Sequence, residues 1–239
     1  MSLIKRGGHR YTVERLLDRD LDCLTRTILE MPEDAFDRYS NPFEQKYTLR
    51  DKFHLPVSLD LLIQTLEHDA SRFSQLFGIS LYPDQLRHYC GVFKYIKGDK
   101  LDVHVDAGIH PQVKMRKHVT AVLYLGDEMA PLELWNGENC AQDNPRIIKI
   151  ANSITPEHGT LVVFENNDYA WHGVPICESE APRTIVTVSY LSDAIDAFDN
   201  KRQRAFFVPR PWEQWTTEQY ELRNKRADPE RYREVYRVG

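Results

Sequence analysis

Between residues 79 and 192 the chain offers eight short β-branched and aromatic runs, with no helical period between any two of them. They are "QLRHYCGVFKYI", "LDVHV", "KHVTAVLYLG", "PLELWN", "RIIKIA", "GTLVVFE", "YAWHGV" and "RTIVTVSYL", separated by Gly, Pro, Asp and Asn. Strands that alternate with helices build parallel sheets, whereas strands that follow one another directly build antiparallel sandwiches or jelly rolls. The pattern predicts a mainly β fold, a jelly-roll core over 79–192 with flanking α-helices.

The first 78 residues read as mostly helical. In "TVERLLDRDLDCLTRTIL", Val13, Leu16, Leu17, Leu21, Leu24, Ile28 and Leu29 recur at three- and four-residue intervals, one amphipathic stripe. In "SLDLLIQTLEHDASRFSQLFG", Ser58 is the expected N-cap, Leu59, Leu62, Ile63, Leu66 and Phe73 form a stripe, and Gly78 is the stop. Between them "FDRYSNPFEQKYTLRDKFHLP" has no period and reads as a loop, suited to serve as a lid. Residues 193–239 read as a C-terminal helical extension, with Trp212, Trp215, Tyr220, Tyr232 and Tyr236 expected to cover the sheet.

Composition narrows the class. A hydrophobic content of 41% with 28% charged residues describes a soluble globular chain. No apolar run approaches the roughly 20 residues needed to span a bilayer, and the N-terminus lacks a signal-peptide core. Cys23, Cys90, Cys140 and Cys177 stand far apart and read as free thiols, so a cytoplasmic protein is expected. The net charge of −5 argues against nucleic acid. Residues 201–239 carry ten basic against six acidic residues, which reads as a solvated helix face. Oligomeric state is not legible.

One stretch carries chemistry: "GDKLDVHVDAGIH" sets His104 and Asp106 two apart. Side chains alternate across a strand, so both point to one face. Downstream, "NNDYAWHGVP" places His172 in another strand that a jelly roll could bring opposite the pair. Two imidazoles and a carboxylate on one face of an octahedral ion are the facial triad of non-heme iron(II) oxygenases. A closed zinc site would want four ligands, usually with thiolates. Arg183 opens an otherwise apolar strand, which is costly unless an anion meets it, and its planar fork suits a carboxylate.

Together these residues resemble the iron(II)- and 2-oxoglutarate-dependent oxygenases, specifically the prolyl-4-hydroxylase-like branch. The match runs through Tyr95 and Gly98, His104 and Asp106, then Thr120, Tyr124 and Leu125. It continues through Pro156, Gly159 and Phe164 to His172 and Arg183, over roughly residues 86–192. The resemblance implies a double-stranded β-helix and a single catalytic domain over 1–239. It implies Fe(II) on His104, Asp106 and His172, and 2-oxoglutarate and O2 as cosubstrates. The distal carboxylate of 2-oxoglutarate would reach Arg183, with Thr120 and Tyr95 adding hydroxyl donors, although ordinary strand packing explains those two equally well. Halogenating relatives replace the carboxylate ligand with a small residue. Asp106 fills that position here, so the expected outcome is hydroxylation of an unactivated C–H, with release of succinate and CO2; desaturation and ring closure stay open. Ala130-Pro131 in place of a glycine pair, and Arg183 in place of lysine, set the chain apart from collagen-type prolyl hydroxylases.

Trp171, Trp135, Glu133, Arg116 and Asn167 (with Asn166) are expected around the metal mouth, although both tryptophans serve equally well as core. The first expected substrate is a small molecule, an amino acid or natural-product intermediate. A peptide or protein side chain is the alternative. Two readings from other classes remain: a non-catalytic jelly-roll binding module, and a hydrolase with zinc in the same triad.

Overall fold

The computed structural model describes residues 2–16, 20–126 and 129–227. In chain order the elements are β1 (Ile4–Arg6), β2 (His9–Arg15), α1 (Asp20–Leu29), β3 (Phe36–Asn41), β4 (Glu44–Leu49), α2 (Val57–His68) and α3 (Ala70–Phe77). The central strands are β5 (Tyr82–Pro83), β6 (Gly91–Tyr95), β7 (Leu101–Val105), β8 (Arg116–Leu125), β9 (Leu132–Gly137) and β10 (Ile147–Ile154). Then come β11 (Thr160–Glu165), β12 (Trp171–Val174), β13 (Arg183–Ser192), β14 (Phe206–Phe207) and α4 (Thr217–Ala227).

The strands hydrogen-bond in the order β1-β2-β11-β8-β13-β6-β4-β7-β12-β9-β10, with β3 on β4, β5 on β13 and β14 on β7. The sheet curls into a nearly closed antiparallel barrel, the jelly roll expected from the run of strands. Period-two alternation explains why its central strands read as continuous apolar runs: both faces are buried. On β8, Val119, Ala121, Leu123 and Leu125 join a cluster with Leu21, Leu24 and Ile28 of α1, Leu59, Ile63 and Leu66 of α2, and Phe73 of α3. The intervening Val122 and Tyr124 face the barrel interior with Val162, Phe164 and Ile185. A third cluster backs the other side of the barrel, where Phe206 and Val208 cover Val103, Val105, Trp135 and Trp171. No helix among the described residues is long and apolar enough to cross a membrane.

Three expectations about the flanks need correction. Residues 1–78 are not mostly helical, because the first half of the expected helix at 12–29 is strand β2. It pairs with β11 from Arg15↔Thr160 to Tyr11↔Phe164. The ladder along an open sheet edge outweighs the three- and four-residue spacing, and Val13 is left 40% exposed. Only the second half forms α1, and Leu17 lies outside the described residues. The expected loop at 36–56 contains the β3–β4 hairpin, registered from Phe36↔Leu49 to Asn41↔Glu44. Most of β3 is solvent-exposed, so it carries no apolar alternation to read. The expected helix at 58–78 is two helices meeting at Asp69, and Ser58 sits inside α2 because Pro56 takes the cap position. Gly78 does end α3, at φ +73°. At the C-terminus the helix is α4; Tyr232 and Tyr236 lie outside the described residues.

Trp171 is fully buried, donates Nε1–H to Glu138 O at 2.8 Å, and packs so closely that a Cβ at Gly137 would fall 2.6 Å from its ring. Trp171→Ala is expected to cost about 3–5 kcal/mol in chemical denaturation. A change under about 1 kcal/mol would show that this cluster is not a core.

Candidate metal centre

The antiparallel pairing of β7 with β12 sets His104 directly opposite His172. Both rings turn into the barrel, with centroids 4.3 Å apart. Each donates its Nδ1–H to the carbonyl two residues earlier, His104 to Asp102 O at 2.9 Å and His172 to Ala170 O at 2.8 Å. A carbonyl only accepts, so the proton sits on Nδ1 and the Nε2 lone pairs are left to face one another across the barrel. Asp106 follows β7 on the same side. Its Oδ1 lies 3.5 Å from His104 Nε2 and 4.0 Å from His172 Nε2. One ligand atom from each residue falls within 4.8 Å of the others, a set able to hold a metal ion.

The second oxygen of Asp106 is also held. Lys117 Nζ donates to Oδ2 at 2.6 Å, and Thr120 Oγ1 approaches it at 3.4 Å. Burial alone would raise the Asp106 carboxyl; Lys117 and the two imidazoles outweigh it and hold the group well below the usual carboxylate range. Burial, with the neighbouring His104, pushes His172 down to about 3. His172 is thus held as a neutral imidazole and Asp106 as a carboxylate, the protonation states that bind metal.

The triad opens into a cavity of about 600 Å³ that also takes in Arg183, Tyr95, Tyr124 and Thr120. Arg183 stacks between the rings of Tyr95 and Tyr124, each 5.0 Å from its guanidinium carbon. Nε donates to Ala130 O at 3.1 Å and Nη2 to Tyr124 Oη at 3.3 Å. Nη1 is buried without a partner. A buried guanidinium with one unsatisfied nitrogen is costly unless an anion completes it. The donor set therefore fits a carboxylate on Arg183 and a divalent metal on the triad.

The β3–β4 hairpin walls the cavity's outer side through Tyr39, Glu44 and Lys46. Glu44 accepts from Lys46 at 2.9 Å and from Arg226 of α4 at 3.0 Å. Burial works to raise its pKa, but the two cations outweigh it and bring it down to about 2. A depressed carboxylate stabilises the fold fully above its unfolded value of 4.5 and loses that contribution as pH falls towards about 2. Glu44→Gln is accordingly expected to flatten the thermal midpoint's dependence on pH across that window, and an unchanged slope would refute the pairing.

Several residues expected at the mouth lie elsewhere. Trp135 and Trp171 point out of the barrel into the third cluster, because each adjoins an inward residue on its strand, Leu134 and His172. Glu133 shares that outer face and accepts from Arg210 and from Trp135 Nε1. Arg116 is buried under Phe198 and donates to Asn200 O and Asn166 O. Asn167 donates to Gly8 O and pins the β1–β2 turn, while Asn166 donates to Thr120 Oγ1 at 2.9 Å. None of these six lines the cavity.

Lys117 and Tyr124 have roles that only the fold reveals. The β8–β13 pairing shifts register between Tyr190 and Leu191, a bulge that brings Lys117 to the same face as Thr120 despite their odd spacing. Strict alternation would have turned Lys117 away and Arg116 inward. Tyr124 was visible in the motif, but only the fold shows its hydroxyl on Arg183.

Comparison with known proteins agrees with this donor set. Residues 90–190 match the family model described as the 2OG-Fe(II) oxygenase superfamily. That match takes in the triad and Arg183, and it covers 101 of the 239 residues. That family uses Fe(II), with 2-oxoglutarate and O2 as cosubstrates, and the His104, Asp106 and His172 set fits iron binding. The chain resembles a Pseudomonas putida prolyl-4-hydroxylase, with TM-score 0.55 and 16% identity over 79% of this chain and 94% of that one. It also resembles a Trichoplax adhaerens prolyl hydroxylase solved with a hypoxia-inducible-factor peptide, with TM-score 0.54 and 15% identity over 78% and 86% of the two chains. SnoN, an α-ketoglutarate-dependent epimerase from nogalamycin biosynthesis, aligns with TM-score 0.55 and 16% identity over 78% and 79%. At these identities the likeness is one of fold. No curated protein matches the chain.

Proposed function

We propose that the oxygenase holds Fe(II) through His104 Nε2, His172 Nε2 and Asp106 Oδ1. In this reading Arg183, with Tyr95 and Tyr124, receives the distal carboxylate of 2-oxoglutarate, and the enzyme hydroxylates an unactivated C–H of a small molecule. The observation that carries the reading is the buried, unpartnered Nη1 of Arg183 in the same cavity as the triad. Iron bound there supplies oxidative decarboxylation of 2-oxoglutarate to succinate and CO2, coupled to oxidation of the substrate. The chain's own residues supply geometry. The Nδ1–H bonds fix both imidazoles, and Lys117 occupies Asp106 Oδ2, which leaves Oδ1 as a single ligand atom. Phe164 and Phe207 pack against the imidazoles and shield them from water.

A carboxylate at position 106 supports hydroxylation over halogenation. A cavity of about 600 Å³, walled by the hairpin, supports a small molecule over a peptide. The test is succinate formation from 2-oxoglutarate, screened in parallel against small metabolites and against peptides. Stimulation by metabolites is expected; stimulation by peptides alone would overturn the substrate class.

Lys117→Met is expected to weaken metal affinity by about 10–100-fold, as loss of an outer partner of a metal ligand generally does. A Co(II) titration followed by its visible bands measures this. Unchanged affinity would show that Lys117 does not position Asp106.

A further inference from the structure

The cavity is lined by six cationic side chains and two carboxylates, in a chain whose net charge is −5. Four of the cations have partners in the account above. Lys46 and Arg226 share Glu44, Lys117 holds Asp106, and Arg183 awaits the cosubstrate carboxylate. Arg204 also interacts within the protein, which leaves Lys52. Lys52 Nζ donates to two main-chain carbonyls, Arg87 O at 3.1 Å and His88 O at 3.0 Å. Among the described residues no carboxylate lies within 4.0 Å of it. Burial pulls its pKa down, and the weaker pull of Asp84 and Cys90 does not restore it. A half-buried ammonium without a counterion, lining a cavity, is a site short of one negative charge.

The loop whose carbonyls hold this ammonium is firmly braced. Arg87 sits in the left-handed region at φ +48°, a strained conformation for a residue with a side chain. Its guanidinium bonds Asp60 at 2.8 Å, Glu67 at 3.2 Å and Lys52 O at 2.8 Å, tying the loop to α2. Asp84 accepts from Tyr89 N–H at 3.0 Å, which closes the loop from within. Tyr89 lines the cavity beside Lys117, 4.9 Å from its ring, and Arg204 lies close enough to act on its phenol. Strain held by four side chains places Lys52 and Tyr89 at fixed points of the wall.

We propose that the substrate of this oxygenase is a small acid, whose carboxylate or phosphate group is received by Lys52, leaving its reacting carbon toward the triad. The inference rests on the oxygenase reading and deepens it. A lysine is a point charge that accepts either group, so the anion's class is left to measurement.

The experiment uses the full chain loaded with Mn(II) and saturating 2-oxoglutarate, titrated calorimetrically at constant ionic strength. Inorganic sulfate is the probe for a tetrahedral phosphate-like group and acetate the probe for a carboxylate. At least one of them is expected to bind. Lys52→Gln is expected to weaken that binding by about tenfold or more, and Lys52→Arg to retain it. Preference for sulfate indicates a phosphate ester, and preference for acetate a carboxylic acid. The inference is overturned if neither probe binds protein that holds 2-oxoglutarate, or if Lys52→Gln binds as well as wild type. It is equally overturned if the loss in Lys52→Gln falls on 2-oxoglutarate instead. Failure of the wild-type protein to hold 2-oxoglutarate would be a failure of the oxygenase reading itself, visible in the same samples.

Discussion

Asp106→Ala is expected to remove iron binding and turnover together, by more than the roughly 10–100-fold that loss of an outer partner costs a metal site. Asp106 is the triad's only charged ligand, and both of its oxygens are in use: Oδ1 toward His104 and His172, Oδ2 toward Lys117 and Thr120. Truncation also strands Lys117 as a buried cation, so folding must be followed alongside. Asp106→Asn separates the effects, because its amide oxygen can still accept from Lys117 while the ligand charge is gone. Iron binding is expected to fall in both variants, with the thermal midpoint of Asp106→Asn nearer to wild type. Retention of iron and 2-oxoglutarate turnover by a folded Asp106→Ala protein would remove the triad from the account.

Arg183→Gln is expected to raise the dissociation constant for 2-oxoglutarate about 30-fold or more, since losing one partner of a buried charge pair costs about 2–5 kcal/mol. Its guanidinium has a stack on each side and two satisfied nitrogens, leaving Nη1 for the ligand. Metal affinity is expected to change little, because none of the triad bonds Arg183. Arg183→Lys keeps the charge but not the fork, and an intermediate affinity is expected. Titration of 2-oxoglutarate onto the metal-loaded variants measures all three. An unchanged constant in Arg183→Gln would mean that some other cation receives the cosubstrate.

The barrel strands were legible because burial on two faces leaves an unbroken apolar signature, as in "HVTAVLYL" and "RTIVTVSYL". His104 and Asp106 were legible for the converse reason: a period of two puts them on one face whatever the rest of the fold does. That same rule, applied to Trp171 beside His172, would have turned the tryptophan away from the cavity. Lys117 escaped because a bulge in the β8–β13 register is a property of two strands together. The β2 strand escaped because its pairing with β11 lies about 150 residues away, while its local spacing mimics a helix. Hairpin β3–β4, mostly solvent-facing, offered no pattern at all. Lys52 could not be singled out before the fold showed which cations have carboxylate partners.

The most direct test of the account is anaerobic. Fe(II) and then 2-oxoglutarate are added to the apoprotein, and the weak visible charge-transfer band of a keto acid chelated to iron is sought. The expected result is a band that is absent in His172→Ala and shifted to higher 2-oxoglutarate concentration in Arg183→Gln. Folded protein that binds Fe(II) yet gives no band at any 2-oxoglutarate concentration would contradict it.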